Sequence, residues 1–566
     1  MLNESSIAKT EKRIYDLLPH EPETMAVTLF IIAMAIYYLW RMFAITPCYD
    51  ELYAYYMFIS RGPFYVITNW TAPNNHVGYS LFAGIVNFCG NPYIGLRGIS
   101  YICAVCNLIL VYRICRKYYT HGMPLGALIL YASMQVVNEY SIQGRGYTLA
   151  TTCFLLAVYA VGEMCKSGEI KILHYVGFSF AIVVGVYTVP DSVYWAVPVC
   201  LSAYLYLFIN GFKSRSVFSS DAENFYLKKL NKLISYTAFS IFAAFILYGG
   251  LWLSIGASEL IKDDASRFFE STGDVVLIRS PMEALGRGLS FMLSKRSAVD
   301  VGKDLFKVEF WSWVKELFNY MLPGMWMIIA FFIVAGMIIM IVECARHFGY
   351  SRTVFNIMAV TNIFFVAIVL IGTHKLPNLR GFGYGSFFAT VCICATLEKV
   401  INATIRIYNN WGTNNSDASN VANHRENERI RESEKWYKGL GIYIPLAAII
   451  VLFIARLFGS TFNAQIGERE NNIFNTMYIA GIDHRKKPCV LDCDQKYLLK
   501  FGFDIECEKV NVADSDCVIL DRKLMEPGKL GEDAWKYYTT YETIDWDYLD
   551  TMHIQYENED LILYTK

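Results

Sequence analysis

The sequence predicts an α-helical polytopic membrane protein with about 11 transmembrane helices and a small C-terminal α/β domain. Three observations carry this. The 566 residues are 55% hydrophobic and only 18% charged, against about 25% charged in ordinary soluble chains. Apolar runs close to the roughly 20 residues that a helix needs to cross a bilayer recur between residues 24 and 458. After them the pattern changes to short, turn-bounded runs. Aromatics reach 16%, with 40 Tyr and 37 Phe, which suits interfacial belts and pockets for a long apolar ligand. The balance of 50 basic against 51 acidic residues argues against nucleic acid as a partner.

The N-terminal segment 1–23 is polar and ends in Pro and acids. It does not resemble a cleavable signal peptide, so the first apolar run is expected to stay as a helix. The predicted spans lie near 24–45, 94–115, 123–141, 148–165, 171–189, 193–211, 233–255, 321–343, 354–373, 382–401 and 439–458. The piece "GYSLFAGIVNFCG" is too short to cross and reads as a helix lying along the surface.

Lys and Arg set the orientation. "KTEKR" precedes the first span, "RICRKYY" follows the second, "KSGEIK" the fourth, "LKKLNK" the sixth and "ARHFGYSR" the eighth. The tract near 409–437, rich in Asn, Ser and charge, follows the tenth and reads as a mobile cytoplasmic loop. Alternate loops are therefore basic, as cytoplasmic loops are. The basic segment near 257–320 breaks the alternation, but long loops translocate largely regardless of charge. An odd span count places the N-terminus inside and the C-terminus outside. The expected organisation is a transmembrane domain over 24–459 with outer loops 46–93 and 257–320, then an extracytoplasmic domain over 460–566. A multi-pass plasma-membrane location follows.

The tail alternates runs such as "PCVLDC", "DCVILDRK" and "DLILYTK" with helix-like stretches such as "QKYLLKFGF". That alternation suggests a small α/β unit. Most of the 15 Cys sit in apolar runs, where Cys packs as a small hydrophobe, and their spacings match no zinc site. Cys489, Cys493, Cys507 and Cys517 cluster near the C-terminus with their pairing left open.

Several polar residues stand at the predicted outer turns. Asp50 and Glu51 follow the first span and open "ELYAYYMF". Neighbours on a helix point about 100° apart, so one acid can face a cavity while the other caps or orients. Acids that complement a helix dipole are the plainer reading. His76 precedes the short surface helix. Arg145 and Tyr147 sit with Glu139 and Gln143 at the turn before the fourth span, where Arg145 either snorkels or holds a phosphate or carboxylate. His374, Lys375 and Arg380 make a compact cationic site in "GTHKLPNLRGFGYGS", stiffened by Pro377. Such charge on the outer side opposes the positive-inside trend, which favours anion binding.

The order of these motifs resembles the polyprenol-phosphate-dependent glycosyltransferases of the GT-C fold. It is most similar to the bacterial branch related to protein O-mannosyltransferases and the aminoarabinose transferase, called RgtA/B/C/D-like or family 39-like. The likeness is carried by "DELYAY" at 50–55, "NNHVGYSLF" at 74–82, "NPYIGLRGISYICAVCNLILVYRICRKYY" at 91–119 and "EYSIQGRGYTLATTCFLLAVY" at 139–159. "HVGY" stands where that family has a His-Pro-Pro-Leu-like segment; His76 is retained and the prolines are not. The resemblance implies transfer of a sugar from a polyprenyl-phosphate carrier to a cell-envelope, lipid or protein acceptor on the outer face. It implies Asp50 as base, with Glu51 as orienting partner or fallback, and inversion at the anomeric carbon. Arg145, Arg380 and Lys375 are the cations expected at the departing phosphate, with His76, Tyr147 and His374 lining the substrate site. Membrane lipids are the remaining partners. No metal cluster is visible, so no cofactor is expected, with a carboxylate-bound divalent metal as the alternative. The rival readings are a transporter or flippase of a lipid-linked envelope substrate, and a non-catalytic envelope scaffold.

Overall fold

The computed structural model describes residues 21–70, 75–120, 122–166, 168–217, 220–263, 273–294, 299–348, 351–416, 444–459, 468–483, 485–491, 493–507, 511–522 and 544–566. Residues 1–20 of the expected N-terminal segment and 417–437 of the expected polar loop lie outside the described residues.

The chain begins with α1 (Pro22–Ala44), α2 (Tyr49–Met57), α3 (Pro63–Thr68), α4 (Val77–Val86), α5 (Pro92–Tyr118), α6 (Met123–Ala132) and α7 (Gln135–Tyr140). It continues through α8 (Tyr147–Cys165), α9 (Ile172–Thr188), α10 (Val193–Val217), α11 (Ser220–Asp263), α12 (Gly273–Arg279) and α13 (Pro281–Ser294). There follow β1 (Val299–Asp300), α14 (Lys303–Met321), α15 (Trp326–Arg346), α16 (Ser351–Thr373), β2 (Lys375–Leu376) and α17 (Gly385–Ser416). After α18 (Ile444–Leu457) come α19 (Glu468–Ile479), β3 (Pro488–Cys489), α20 (Cys493–Phe503), β4 (Cys517–Asp521), α21 (Trp546–Leu549), β5 (His553–Glu557) and β6 (Leu561–Thr565).

This is a polytopic helical membrane protein. Among the described residues, α1, α5, α8, α10, α11, α15, α16 and α17 account for 8 stretches long and apolar enough to cross a membrane. The other three predicted spans form shorter apolar helices, α6, α9 and α18, and the predicted surface piece is the short helix begun by α4. The 123–141 run is not one helix: α6 stops at Ala132 and α7 starts at Gln135. Ser133 Oγ donates to Ile129 O at 2.7 Å at that break, a back-bond that favours a bend.

The surface of α1 shows its solvent. Leu29, Ile32, Ile36, Trp40 and Phe43 are exposed at three- and four-residue spacing, while Val27, Met34, Tyr38 and Arg41 are buried. A helix apolar on its outward face is at home in lipid. At the centre, α8 packs on α5 and α9, and Phe154 meets the rings of Trp195, Tyr384, Phe387 and Phe388. Contacts of α10 with α16 and of α15 with α17 complete the bundle.

The C-terminal unit holds a four-stranded sheet in the order β3-β4-β6-β5. β3 and β4 are parallel and the other pairs antiparallel. Every residue of β4 is buried, as its sequence CVILD demands of a central strand. Cys489, Cys507 and Cys517 are buried; the Cys493 side chain lies outside the described residues. The unit docks on the membrane domain where α20 packs against α2.

Candidate active site

Asp50 and Glu51 share the first turn of α2, and their side chains diverge as adjacent helical positions must. Glu51 turns inward and is fully buried. Arg97 of α5 grips it bidentately, Nε to Oε1 and Nη2 to Oε2, both at 2.8 Å. Gly144 N–H donates to Oε1 at 2.6 Å and Cys48 N–H to Oε2 at 3.1 Å. A carboxylate offers about four lone-pair sites, and these four donors use them. Arg97 Nη1 also donates to Met42 O at 3.0 Å and Ile45 O at 2.7 Å. Glu51 and Arg97 therefore join the end of α1, the start of α2, α5 and the turn before α8. Both Glu51 oxygens are therefore taken up by donors of the fold.

Asp50 turns outward, with its side chain 34% exposed. Its Oδ2 accepts from Arg380 Nη1 at 2.8 Å and lies 3.9 Å from Arg145 Nη2. Arg145 Nη1 reaches the Asp50 carbonyl at 3.4 Å. Arg380 sits on a 3₁₀ turn over Leu379–Phe382, where Asn378 Oδ1 accepts from its backbone N–H. Residues 50, 145 and 380 come from three turns far apart in sequence and meet at one end of the bundle.

His76 caps the same site from the N-terminus of α4. Its Nδ1 accepts from Gly146 N–H at 2.8 Å, and its Nε2 lies 3.4 Å from Arg145 Nη2. Burial first, and then the Arg145 and Arg380 charges, hold the imidazole well below its usual titration range. A neutral ring that accepts at Nδ1 carries its proton on Nε2. Two donors, His76 Nε2–H and Arg145, thus face one region. Gly146 is required by the close approach: a Cβ there would stand 2.9 Å from His76 Nδ1 and 2.6 Å from Thr188 Cγ2.

Tyr147, the first residue of α8, packs edge-on to His76 at 4.8 Å and against Tyr140 at 4.9 Å. Tyr320, at the end of α14, donates to Glu139 Oε1 at 2.9 Å, and its Oη lies 3.0 Å from the Tyr140 hydroxyl, from which it accepts. Trp313 Nε1 donates to Pro377 O at 2.8 Å, bracing the Arg380 turn. Helix α14 thus closes the predicted 257–320 loop onto the site. Tyr147, Ser192, Trp195, Arg380, Gly381 and Tyr384 line a small cavity beside it.

Asp50, Arg145, His76, Tyr147 and Arg380 are therefore brought together. His374 and Lys375 are placed instead with the 257–320 segment. Lys375 pairs with Asp300 in the β1–β2 ribbon, and His374 packs its ring on Phe306 at 4.8 Å. Three residues escaped the sequence reading. Arg97 carried a signal, a charge within an apolar helix. Asp191 approaches Gly381, where a Cβ would stand 2.9 Å from its Oδ2. Glu470 accepts from Tyr49 N–H at 2.9 Å, across a sequence separation of 421. Among the described residues, no three His, Cys, Asp or Glu side chains gather as a metal site.

Residues 77–248 match the model of the family described as "Dolichyl-phosphate-mannose-protein mannosyltransferase". The likeness to GT-C glycosyltransferases read from the motifs is thereby supported over the stretch holding His76's helix, Arg97, Arg145 and Tyr147. No curated protein matches the chain. Among solved structures, ArnT from Cupriavidus metallidurans bound to undecaprenyl phosphate is similar at 12% identity and a TM-score of 0.48, covering 95% of this chain and 97% of that one. The archaeal oligosaccharyltransferase AglB from Archaeoglobus fulgidus, in complex with an inhibitory peptide and a dolichol-phosphate, is similar at 11% identity and a TM-score of 0.45, covering 87% of this chain and 69% of that one.

Proposed function

We propose that the protein is a membrane glycosyltransferase that moves a sugar from a polyprenyl-phosphate carrier to an acceptor hydroxyl on the outer face of the plasma membrane. The observation that carries this is the one-third-exposed Asp50 carboxylate held against the Arg380 and Arg145 guanidiniums, in a chain whose residues 77–248 match a lipid-phosphate-sugar transferase family.

Each part has a chemical task. The acceptor hydroxyl is a poor nucleophile and gains from a base within hydrogen-bond reach; Asp50 takes its proton as oxygen attacks the anomeric carbon. The bond from that carbon to the carrier's phosphate oxygen breaks with its electron pair on phosphate, and direct displacement inverts the centre. Charge then grows on the phosphate, where preorganised donors matter most. Arg380 spends Nη1 on Asp50 and keeps other N–H groups of its five for phosphate. His76 Nε2–H and Arg145 serve the same anion from the buried side. Tyr147 walls the sugar site, and Glu51, locked by Arg97, holds the first turn of α2 that carries Asp50. His374 and Lys375, at the ribbon, are kept as outer contacts on the path of the carrier headgroup, with Lys375 the charged one.

The test is sugar transfer by the purified protein in lipid vesicles, with labelled polyprenyl-phosphate sugars and envelope acceptor extracts. Asp50→Asn should lower transfer about 100- to 10,000-fold, to a small residual rate, while carrier binding and folding persist. Transfer near the wild-type rate by Asp50→Asn would refute the base assignment. A wild-type protein that transfers none of the sugars offered would refute the enzyme reading.

A further inference from the structure

We infer that the C-terminal unit is part of the catalytic machinery, with Glu470 as the residue that positions the base. This rests on the glycosyltransferase reading above. Four consecutive side chains at the start of α19 each make a tie. Arg469 pairs with Asp494 of α20 and, through Nε at 2.8 Å, with Asp521 of β4. Glu470 Oε1 accepts from Tyr49 N–H at 2.9 Å. Asn471 Oδ1 accepts from Thr46 Oγ1 at 3.0 Å. Asn472 Nδ2 donates to Asp560 Oδ2 at 3.1 Å.

The first and last ties fix α19 to its own sheet, and the middle two reach into the segment that carries Asp50. An acid in a helix's first turn ordinarily complements that helix's own N–H groups. Here a nearly buried carboxylate, 9% exposed, serves the first N–H of a different helix. That N–H is one of the orphan donors every helix start must satisfy, and Asp50 is the next residue. Around this bond Tyr497 stacks on Tyr56 at 5.5 Å, and Phe501 packs on Tyr55 at 5.8 Å and Tyr93 at 4.8 Å. The C-terminal unit therefore sets where the first turn of α2 begins, and with it the position of the Asp50 carboxylate. Glu470 acts through Asp50 and is a positioning residue, not a catalytic one.

The experiment uses the full-length protein in vesicles with the labelled polyprenyl-phosphate sugar. Glu470→Ala should lower kcat about ten- to a hundred-fold, the usual range for losing a hydrogen bond to a charged group, with the donor KM unchanged. Glu470→Gln keeps a carbonyl acceptor and should transfer at close to the wild-type rate. Glu470→Asp keeps the charge but withdraws it by one methylene and should be as slow as Glu470→Ala. In an Asp50→Asn background, Glu470→Ala should take nothing further from the residual rate, because a residue acting through Asp50 has nothing left to position. A merely structural tie would lower the rate in both backgrounds. An active wild type with Glu470→Ala equally fast, or with Glu470→Gln as slow as Glu470→Ala, or with additive losses, overturns this inference alone. A wild type without transfer overturns it together with the glycosyltransferase reading.

Discussion

Glu51→Ala should remove stability, whereas Asp50→Asn, one residue earlier, should leave stability and remove all but a small residue of transfer. Glu51 is fully buried in a bidentate pair with Arg97. Removing one partner of such a pair strands the other charge and costs about 3–5 kcal/mol. The N–H groups of Cys48 and Gly144 lose their acceptor as well, each about 1–3 kcal/mol when left buried. All these bonds share one carboxylate, so their costs overlap and do not sum. A total of ~5 kcal/mol is expected, a large share of the roughly 5–15 kcal/mol that holds a domain folded. Asp50, by contrast, is about one-third exposed in its ion pairs, and pairs of that kind contribute about 0–1 kcal/mol. The assay is thermal unfolding of the detergent-purified protein followed by tryptophan fluorescence. The apparent midpoint is the quantity compared, because a chain with more than one folding unit need not unfold in two states. A control sharpens the test. Glu51→Leu combined with Arg97→Met removes the stranded charge and should recover part of the loss. A Glu51→Ala protein melting with the wild type, or a double variant melting below the single one, would refute the reasoning.

Loss of the Arg380 contact should slow transfer about 100-fold in Arg380→Ala, since one lost oxyanion donor costs a few kcal/mol and each ~1.4 kcal/mol is tenfold. Arg380→Lys should recover part of it as a point charge without the fork, and equal initial rates for wild type and Arg380→Ala would take Arg380 out of the site. For His76 the pH dependence has a definite sign. Burial lowers its folded-state pKa well below 6.5, so the unfolded chain takes up the proton first. Its contribution to stability is complete above about pH 6.5 and declines as pH falls from there toward the folded-state value. Melting temperature measured from pH 7.5 to 5 should fall in the wild type and fall less in His76→Gln; identical slopes would contradict the assignment.

The helical membrane architecture was legible because hydropathy is local: each apolar run near 20 residues declares itself without reference to its neighbours. The same holds for the short helix at 77–86 and for the helix and strand alternation of the tail. The break between α6 and α7 was less legible, since it turns on Ser133 and the polar residues after it within an otherwise apolar run. Asp50, Arg145 and Arg380 were legible singly as polar residues at turns on one end of the bundle, and as one site only through the resemblance, which made Asp50 the base and the two arginines the phosphate cations. Arg97 was visible as a charge in a span but not as the partner of Glu51. Glu470 had no local sign at all.

The amino-acid order alone determined that this chain must live in a bilayer, where its polar turns lie, and which residue types are available for moving a proton and holding a phosphate. Which of two adjacent acids faces the cleft was settled only when α5 brought Arg97 across 46 positions to claim Glu51. That the tail grips the start of α2 was settled only when Glu470 arrived from 421 positions away. The physical reason is that burial preference belongs to each side chain by itself. A hydrogen bond or an ion pair belongs to two, and its existence depends on where the whole fold puts the second.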